Sequence, residues 1–277
     1  MNINWFPGHM TKSLRMMEKE VKNVDVIIYL LDARAPQSSF NPKFESIIGN
    51  KPVLYVLNKY DLADDKKTDE FIKKLKKSGA TAIKLDASKS GAGKVLEPLL
   101  KQLISRKIEK FLNKGIKILP KAMIIGVPNV GKSTLINNLA NVSKAKTGNK
   151  AGVTRGKQQI TLESGIVLLD TPGTLWPSFD REETALNLAI IGSINDNVLD
   201  KNEIAYGLIS VLKAEYPEKL KARYNLKELD KTTHEIAYDI AVSRGFLLKG
   251  GDFDMDRTCN MLITEYRKGL FGKITLD

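Results

Sequence analysis

The chain has one cysteine and only two histidines among its 277 residues. A lone thiol, Cys259, cannot close an internal disulfide, which excludes a disulfide-stapled fold and suits a reducing compartment. It recurs with Leu262, Ile263 and Tyr266 at helical spacing, so it reads as a small buried hydrophobe, not a nucleophile. No apolar run approaches the roughly 20 residues that a membrane-spanning helix needs. The start, Met1 to Met10, has neither a signal-peptide core nor an Arg/Ser-rich transit composition, so a cytoplasmic protein with no membrane partner is expected. Internal repeats and low-complexity tracts are also lacking.

What is present is a globular balance, 42% hydrophobic and 27% charged, in a chain with room for two domains. The net charge of +12 is unevenly spread: residues 1–178 hold 30 Lys and Arg against 15 Asp and Glu, whereas 179–277 hold 14 against 17. The basic excess therefore belongs to the first part alone and makes a polyanion such as nucleic acid or the ribosome a reasonable partner. Taken singly, a run such as Lys73, Lys74, Lys76 and Lys77 reads more economically as a solvated helix face.

Val26–Leu31, Val53–Leu57, Ala82–Leu85, Ala122–Ile125 and Ile166–Leu169 are apolar runs of strand length, several separated by amphipathic stretches such as Phe71–Lys77 and Val95–Leu112. This alternation predicts βαβ units and a mostly parallel sheet. Gln158–Glu163 alternates polar and apolar residues before Ser164-Gly165, which predicts one antiparallel hairpin at a sheet edge. After about Pro177 only helical periods remain: Leu186, Ile190 and Ile194; Ile204, Leu208 and Leu212; and the Cys259 face. The expectation is α/β: a sheet domain over 1–177, including an N-terminal segment 1–23, then a smaller all-α domain over 178–277.

Gly126-Val-Pro-Asn-Val-Gly131-Lys132-Ser133 follows one expected strand and opens a helix, the context of a phosphate-binding P-loop. Its backbone N–H groups can cradle phosphates, Lys132 can reach the β- and γ-phosphates and Ser133 can ligate magnesium. Asn129, Val130, Gly131, Lys132, Ser133 and Thr134 are thus the expected phosphate-site residues. Asn58-Lys59-Tyr60-Asp61 ends another strand, where a carboxylate can accept hydrogen bonds from guanine N1–H and its 2-amino group. Ser88, in Asp86-Ala87-Ser88-Lys89, could close over the base from the other side. Asp170-Thr171-Pro172-Gly173 offers a carboxylate for magnesium and a glycine N–H for the γ-phosphate, and Thr154, before Arg155-Gly156, could complete the metal shell. GTP or GDP with magnesium is the implied ligand set. An ATPase or small-molecule kinase is disfavoured by Asn58 and Asp61.

The base-recognition motifs precede the P-loop, the reverse of the ordinary order, so the GTPase-type domain reads as circularly permuted. Arg106–Lys121 would bridge the ancestral termini, and Thr174–Pro177 would lead from the second switch into the helical domain. With the opening Trp5-Phe6-Pro7-Gly8-His9-Met10 and Asp32-Ala33-Arg34-Ala35-Pro36, this order resembles the circularly permuted YlqF family of ribosome biogenesis GTPases over essentially the whole chain. The resemblance implies an assembly factor acting on the large (50S) ribosomal subunit, with a C-terminal domain that contacts RNA; a monomer is expected.

Thr174-Leu175 stands where Ras-like enzymes carry a water-orienting glutamine, which predicts slow hydrolysis without a partner. Of the two histidines, His234 suits a solvated or capping role on a helix. The resemblance links the Pro-Gly-His segment to catalysis, making His9 the expected water-orienting residue beside Lys132 and Thr154. Asn129 resembles the asparagine of potassium-activated GTPases; tolerance of the loop conformation explains it equally well. An RNA-binding scaffold with nucleotide as a structural ligand and incidental turnover is the competing reading.

Overall fold

The computed structural model describes residues 8–147, 159–176, 179 and 181–277, except for the side chains of 8, 9, 141–147 and 198. Along the chain, α1 (Gly8–Glu20) leads to β1 (Val26–Asp32), α2 (Pro42–Ile48), β2 (Val53–Asn58), α3 (Asp65–Lys77), β3 (Thr81–Leu85) and α4 (Ala92–Leu112). Then come β4 (Lys121–Ile125), α5 (Lys132–Thr147), β5 (Gln159–Thr161) and β6 (Val167–Leu169). Five helices follow the sheet: α6 (Glu182–Ile190), α7 (Lys201–Glu215), α8 (Pro217–Tyr224), α9 (Thr233–Arg244) and α10 (Met255–Arg267).

The six strands lie in the order β3-β2-β1-β4-β6-β5. Every pairing is parallel except the edge hairpin of β5 with β6. All seven residues of β1 are buried, as expected for a central strand covered on both faces. Its alternate side chains divide between two cores: Val26, Ile28 and Leu30 pack with α4 and α5, whereas Ile27, Tyr29 and Leu31 pack with Met17 of α1 and Phe44 of α2. The first core continues through Leu175 and Trp176 into α6, α7, α9 and α10.

The order in which strands are added reverses between β1 and β4, which remain parallel. One half of the chain builds outward from β1 through β2 to β3, and the other from β4 through β6 to β5. A reversal of this kind leaves a crevice at the carboxyl ends of the two central strands, where α/β proteins place ligands. The connection from β3 back to β4 runs through α4 and an irregular segment that exposes Ile116 and Leu119. The bridge expected for a circularly permuted domain lies here.

Boundaries differ from the sequence reading in small ways. The third helix is longer than its apolar period suggested, because the Asp64 carboxylate caps it by accepting from the Lys66 and Lys67 N–H groups. Ile194 does not continue the Leu186–Ile190 face within a helix: α6 stops at Ile190, Gly192 takes φ +81°, and Ile194 is buried from the following turn.

Candidate nucleotide site

A cavity of about 650 Å³ opens at the N-terminus of α5, lined by Asn129, Gly131, Lys132, Ser133, Asp170 and Gly173 among others. The Gly126–Gly131 loop can take its shape only with these glycines. Gly126 has φ +156° and a Cβ there would lie 2.6 Å from the Leu30 carbonyl oxygen; Gly131 has φ +105° and a Cβ would meet the Asn58 amide nitrogen at 2.2 Å. Gly173 approaches from the β6 side so closely that a Cβ would be 2.7 Å from Lys132 Nζ. Thr171 anchors this segment by donating its hydroxyl to Ile124 O at 2.5 Å.

Lys132 is buried and its ammonium donates to the Gly126 and Val127 carbonyls at 3.0 and 2.9 Å. Burial pushes this lysine down to about 8; Asp170 pulls it upward and Lys59 pushes it further down. Burial also raises the Asp170 carboxyl above the usual range, opposed by Lys132 and by a hydrogen bond from the Thr171 backbone. One Asp170 oxygen, Oδ1, is buried with no hydrogen-bond partner among the described residues. An orphaned carboxylate oxygen in the cavity that Ser133 also lines is a hard-oxygen donor set that suits magnesium.

Asn58, at the end of β2, has both ends of its amide engaged: Nδ2 donates to Val130 O at 2.7 Å and Oδ1 accepts from Ala87 N at 2.8 Å. It thereby braces the P-loop against the loop that carries Ser88. Lys59, in the left-handed region at φ +61°, donates to Asn129 O at 2.7 Å and to Asp32 at 2.8 Å. Asp61 sits in a single 3-10 turn, Tyr60–Leu62, with its carboxylate exposed. Ser88 donates its hydroxyl and N–H to Asp86. Asn129, also left-handed at φ +57°, donates to Gly192 O at 2.7 Å.

Residues outside the nucleotide-binding motifs also hold the site. Asn138 on α5 donates to the Ala87 and Lys89 carbonyls at 3.1 and 2.6 Å and so fixes the Ser88 loop. Asp32 is buried between Arg34 and Lys59; burial alone would raise its carboxyl, but these two cations hold it well below the usual range. Thr174 and Leu175 are fully buried and neither lines the cavity, so no side chain from these positions faces the phosphate site. Met16 of α1 does line it. Thr154 lies outside the described residues, as does the His9 side chain; the His9 backbone forms part of the first turn of α1.

Residues 121–242 match the family described as "50S ribosome-binding GTPase", and residues 7–102 separately match "Ethanolamine utilisation - propanediol utilisation". Ribosome biogenesis GTPase A of Bacillus cereus is 43% identical over 278 residues, covering 100% of this chain and 94% of the relative. Mitochondrial ribosome-associated GTPase 1 of Xenopus tropicalis is 32% identical, covering 99% and 94%. The GDP-bound structure of YlqF from Thermotoga maritima superposes with a TM-score of 0.71 at 27% identity, covering 95% of this chain and 98% of its own. The chain therefore belongs to the YlqF family of circularly permuted GTPases, ribosome biogenesis GTPase A, and is a GTP-hydrolysing enzyme.

Proposed function

We propose that this GTPase is an assembly factor for the large (50S) ribosomal subunit and holds its nucleotide in the crevice between β1 and β4. The observation that carries the site reading is the meeting of Lys132, Ser133, Asp170 and Gly173 around one cavity at a helix N-terminus. The names of the relatives and the basic excess of residues 1–178 support the ribosomal partner.

In this reading the Gly126–Gly131 backbone and the first N–H groups of α5 receive the β-phosphate, and Val130 and Thr134 complete the cradle. Lys132 gives up the Gly126 and Val127 carbonyls for phosphate oxygens, an exchange of neutral acceptors for charged ones. The Gly173 N–H bonds the γ-phosphate. Ser133 and Asp170, with Thr154, would hold magnesium, which supplies charge neutralisation at the phosphate oxygens. Asp61 reads the guanine edge, Ser88 closes over the base, and Asn58 and Lys59 keep these loops in register with the phosphates. Asn129 would help to hold a potassium ion, which would supply positive charge beside the phosphates, and His9 orients the attacking water.

Residues 1–177 act as the G domain and 178–277 as a helical domain that contacts RNA, in a cytoplasmic monomer. Thr174–Trp176 couples the two, since Leu175 and Trp176 share one apolar cluster with α6 and α7. The test is steady-state GTP hydrolysis in potassium buffer with purified large subunits, using small subunits and free tRNA as controls. Strong stimulation by large subunits alone supports the assembly role. Its absence, with tight nucleotide binding intact, would favour an RNA-binding scaffold with incidental turnover.

A further inference from the structure

After α10 the chain returns to the sheet as a strap over residues 269–277. The N–H of Ile274 donates to Leu62 O at 3.0 Å and that of Leu276 to Arg34 O at 2.7 Å, so alternate residues clasp the loops that follow β2 and β1. Between them Thr275 is fully buried. Its hydroxyl accepts from Asp64 N at 3.0 Å and donates to Ala33 O at 3.1 Å. Tyr216, at the end of α7, grips the Thr275 backbone from the other side, donating to its carbonyl at 3.0 Å and accepting from its N–H at 3.2 Å. Gly269 packs so tightly on Leu62 that an added Cβ would lie 2.6 Å from Leu62 Cδ2.

These contacts bracket Asp61. On its upstream side Lys59 is fixed by Asp32 and Asn129 O; on its downstream side Leu62 O and Asp64 N are fixed by the strap. An exposed carboxylate in a single 3-10 turn discriminates between bases only if its flanks hold it still, because ordering it at the moment of binding costs affinity. We infer that Thr275 is a positioning residue for guanine recognition: its hydroxyl ties Asp64 to Ala33 and so pre-orients Asp61, from a segment of the chain that carries no nucleotide motif. This rests on the reading of Asp61 as the guanine-binding carboxylate.

Calorimetric titration of the full chain with GDP and with IDP, which lacks the 2-amino group, tests it. Thr275→Val is expected to weaken GDP binding about tenfold and to shrink the GDP-over-IDP preference, because the half-buried Asp64 N–H loses its acceptor. Thr275→Ser, which keeps the hydroxyl, should restore both. Tyr216→Phe loosens the strap while keeping the Thr275 hydroxyl; it should move the ratio in the same direction and carries the test if the valine variant fails to fold. Asp61→Asn serves as the control. If it shifts preference toward xanthosine nucleotides while Thr275→Val and Tyr216→Phe leave the GDP/IDP ratio unchanged, the inference about Thr275 is overturned and the site reading stands. If Asp61→Asn leaves base preference unaltered, the reading of Asp61 falls and the inference with it.

Discussion

The side-chain amide of Asn129 donates to the carbonyl of Gly192 at 2.7 Å, joining the phosphate loop to the turn that ends α6. Ser193 adds a second tie by donating its hydroxyl to Pro128 O at 2.9 Å. Arg267 of α10 holds the same turn, donating to Ala189 O and Ile190 O and forming a two-pronged pair with Asp196 at 2.8 Å. The phosphate loop is thereby fastened to the helical region by contacts that do not pass through Thr174–Trp176.

Removing the Asn129 amide should loosen that turn. One lost hydrogen bond of about 1 kcal/mol corresponds to roughly fivefold faster local opening. Hydrogen-exchange mass spectrometry of Asn129→Ala without nucleotide is expected to show this acceleration over residues 191–196. In the wild-type protein, GTP with potassium should produce the same change and GTP with sodium should not. Unchanged exchange in the variant would mean that Ser193 and Arg267 hold the turn unaided.

Arg267 should matter to stability more than its partial exposure suggests. Its guanidinium donates to two carbonyls at the end of α6 as well as to Asp196, and charge-assisted bonds at a helix C-terminus are the stronger kind. Arg267→Ala is expected to cost about 2 kcal/mol, or roughly 5 °C in the melting temperature. Arg267→Lys should recover little, because a single ammonium cannot reproduce the planar fork. Thermal unfolding followed by circular dichroism measures both.

The sheet was legible in the sequence because its central strands are buried on both faces and must be continuously apolar, as Val26–Leu31 and Ala122–Ile125 are. The phosphate loop was legible for a different reason: its glycines sit where a Cβ would strike Leu30 or Asn58. Arg267, Thr275 and Asn138 left no such trace. Each acts on a loop distant in sequence, and a polar residue on or beside a helix has the same local pattern whether it faces water or a carbonyl. Asn58 shows the limit from the other side, for its motif identified the residue, but only the fold reveals that its amide is engaged by Val130 and Ala87.

Lys132 gives a pH dependence of defined sign. Burial lowers it to about 8, whereas in the unfolded chain it returns to about 10.4. Between these values the unfolded state binds more protons, so the stability contribution of this group rises as pH increases through that window, and its full burial penalty is felt below about pH 8. Bound phosphate would hold the ammonium protonated, so GDP binding takes up a proton where the free protein has lost one. GDP affinity is expected to fall by several-fold between about pH 7 and about pH 8.5, with calorimetric proton uptake rising over the same interval. Lys132→Met should bind more weakly and without this slope.

The water-orienting group is best sought on α1. Thr174 and Leu175 are fully buried and neither lines the cavity, so these two positions offer no side chain there. Met16 does line it, and His9 lies in the first turn of the same helix, seven residues upstream. His9→Ala should therefore leave GDP affinity and the slow unstimulated rate within about twofold, while turnover stimulated by large subunits falls by about a hundredfold. Single-turnover hydrolysis with saturating subunits separates this from weakened docking, because a docking defect is overcome by subunit concentration and a missing water-orienting group is not. Full stimulated turnover in His9→Ala would remove His9 from the mechanism and direct the search to the ribosomal partner itself.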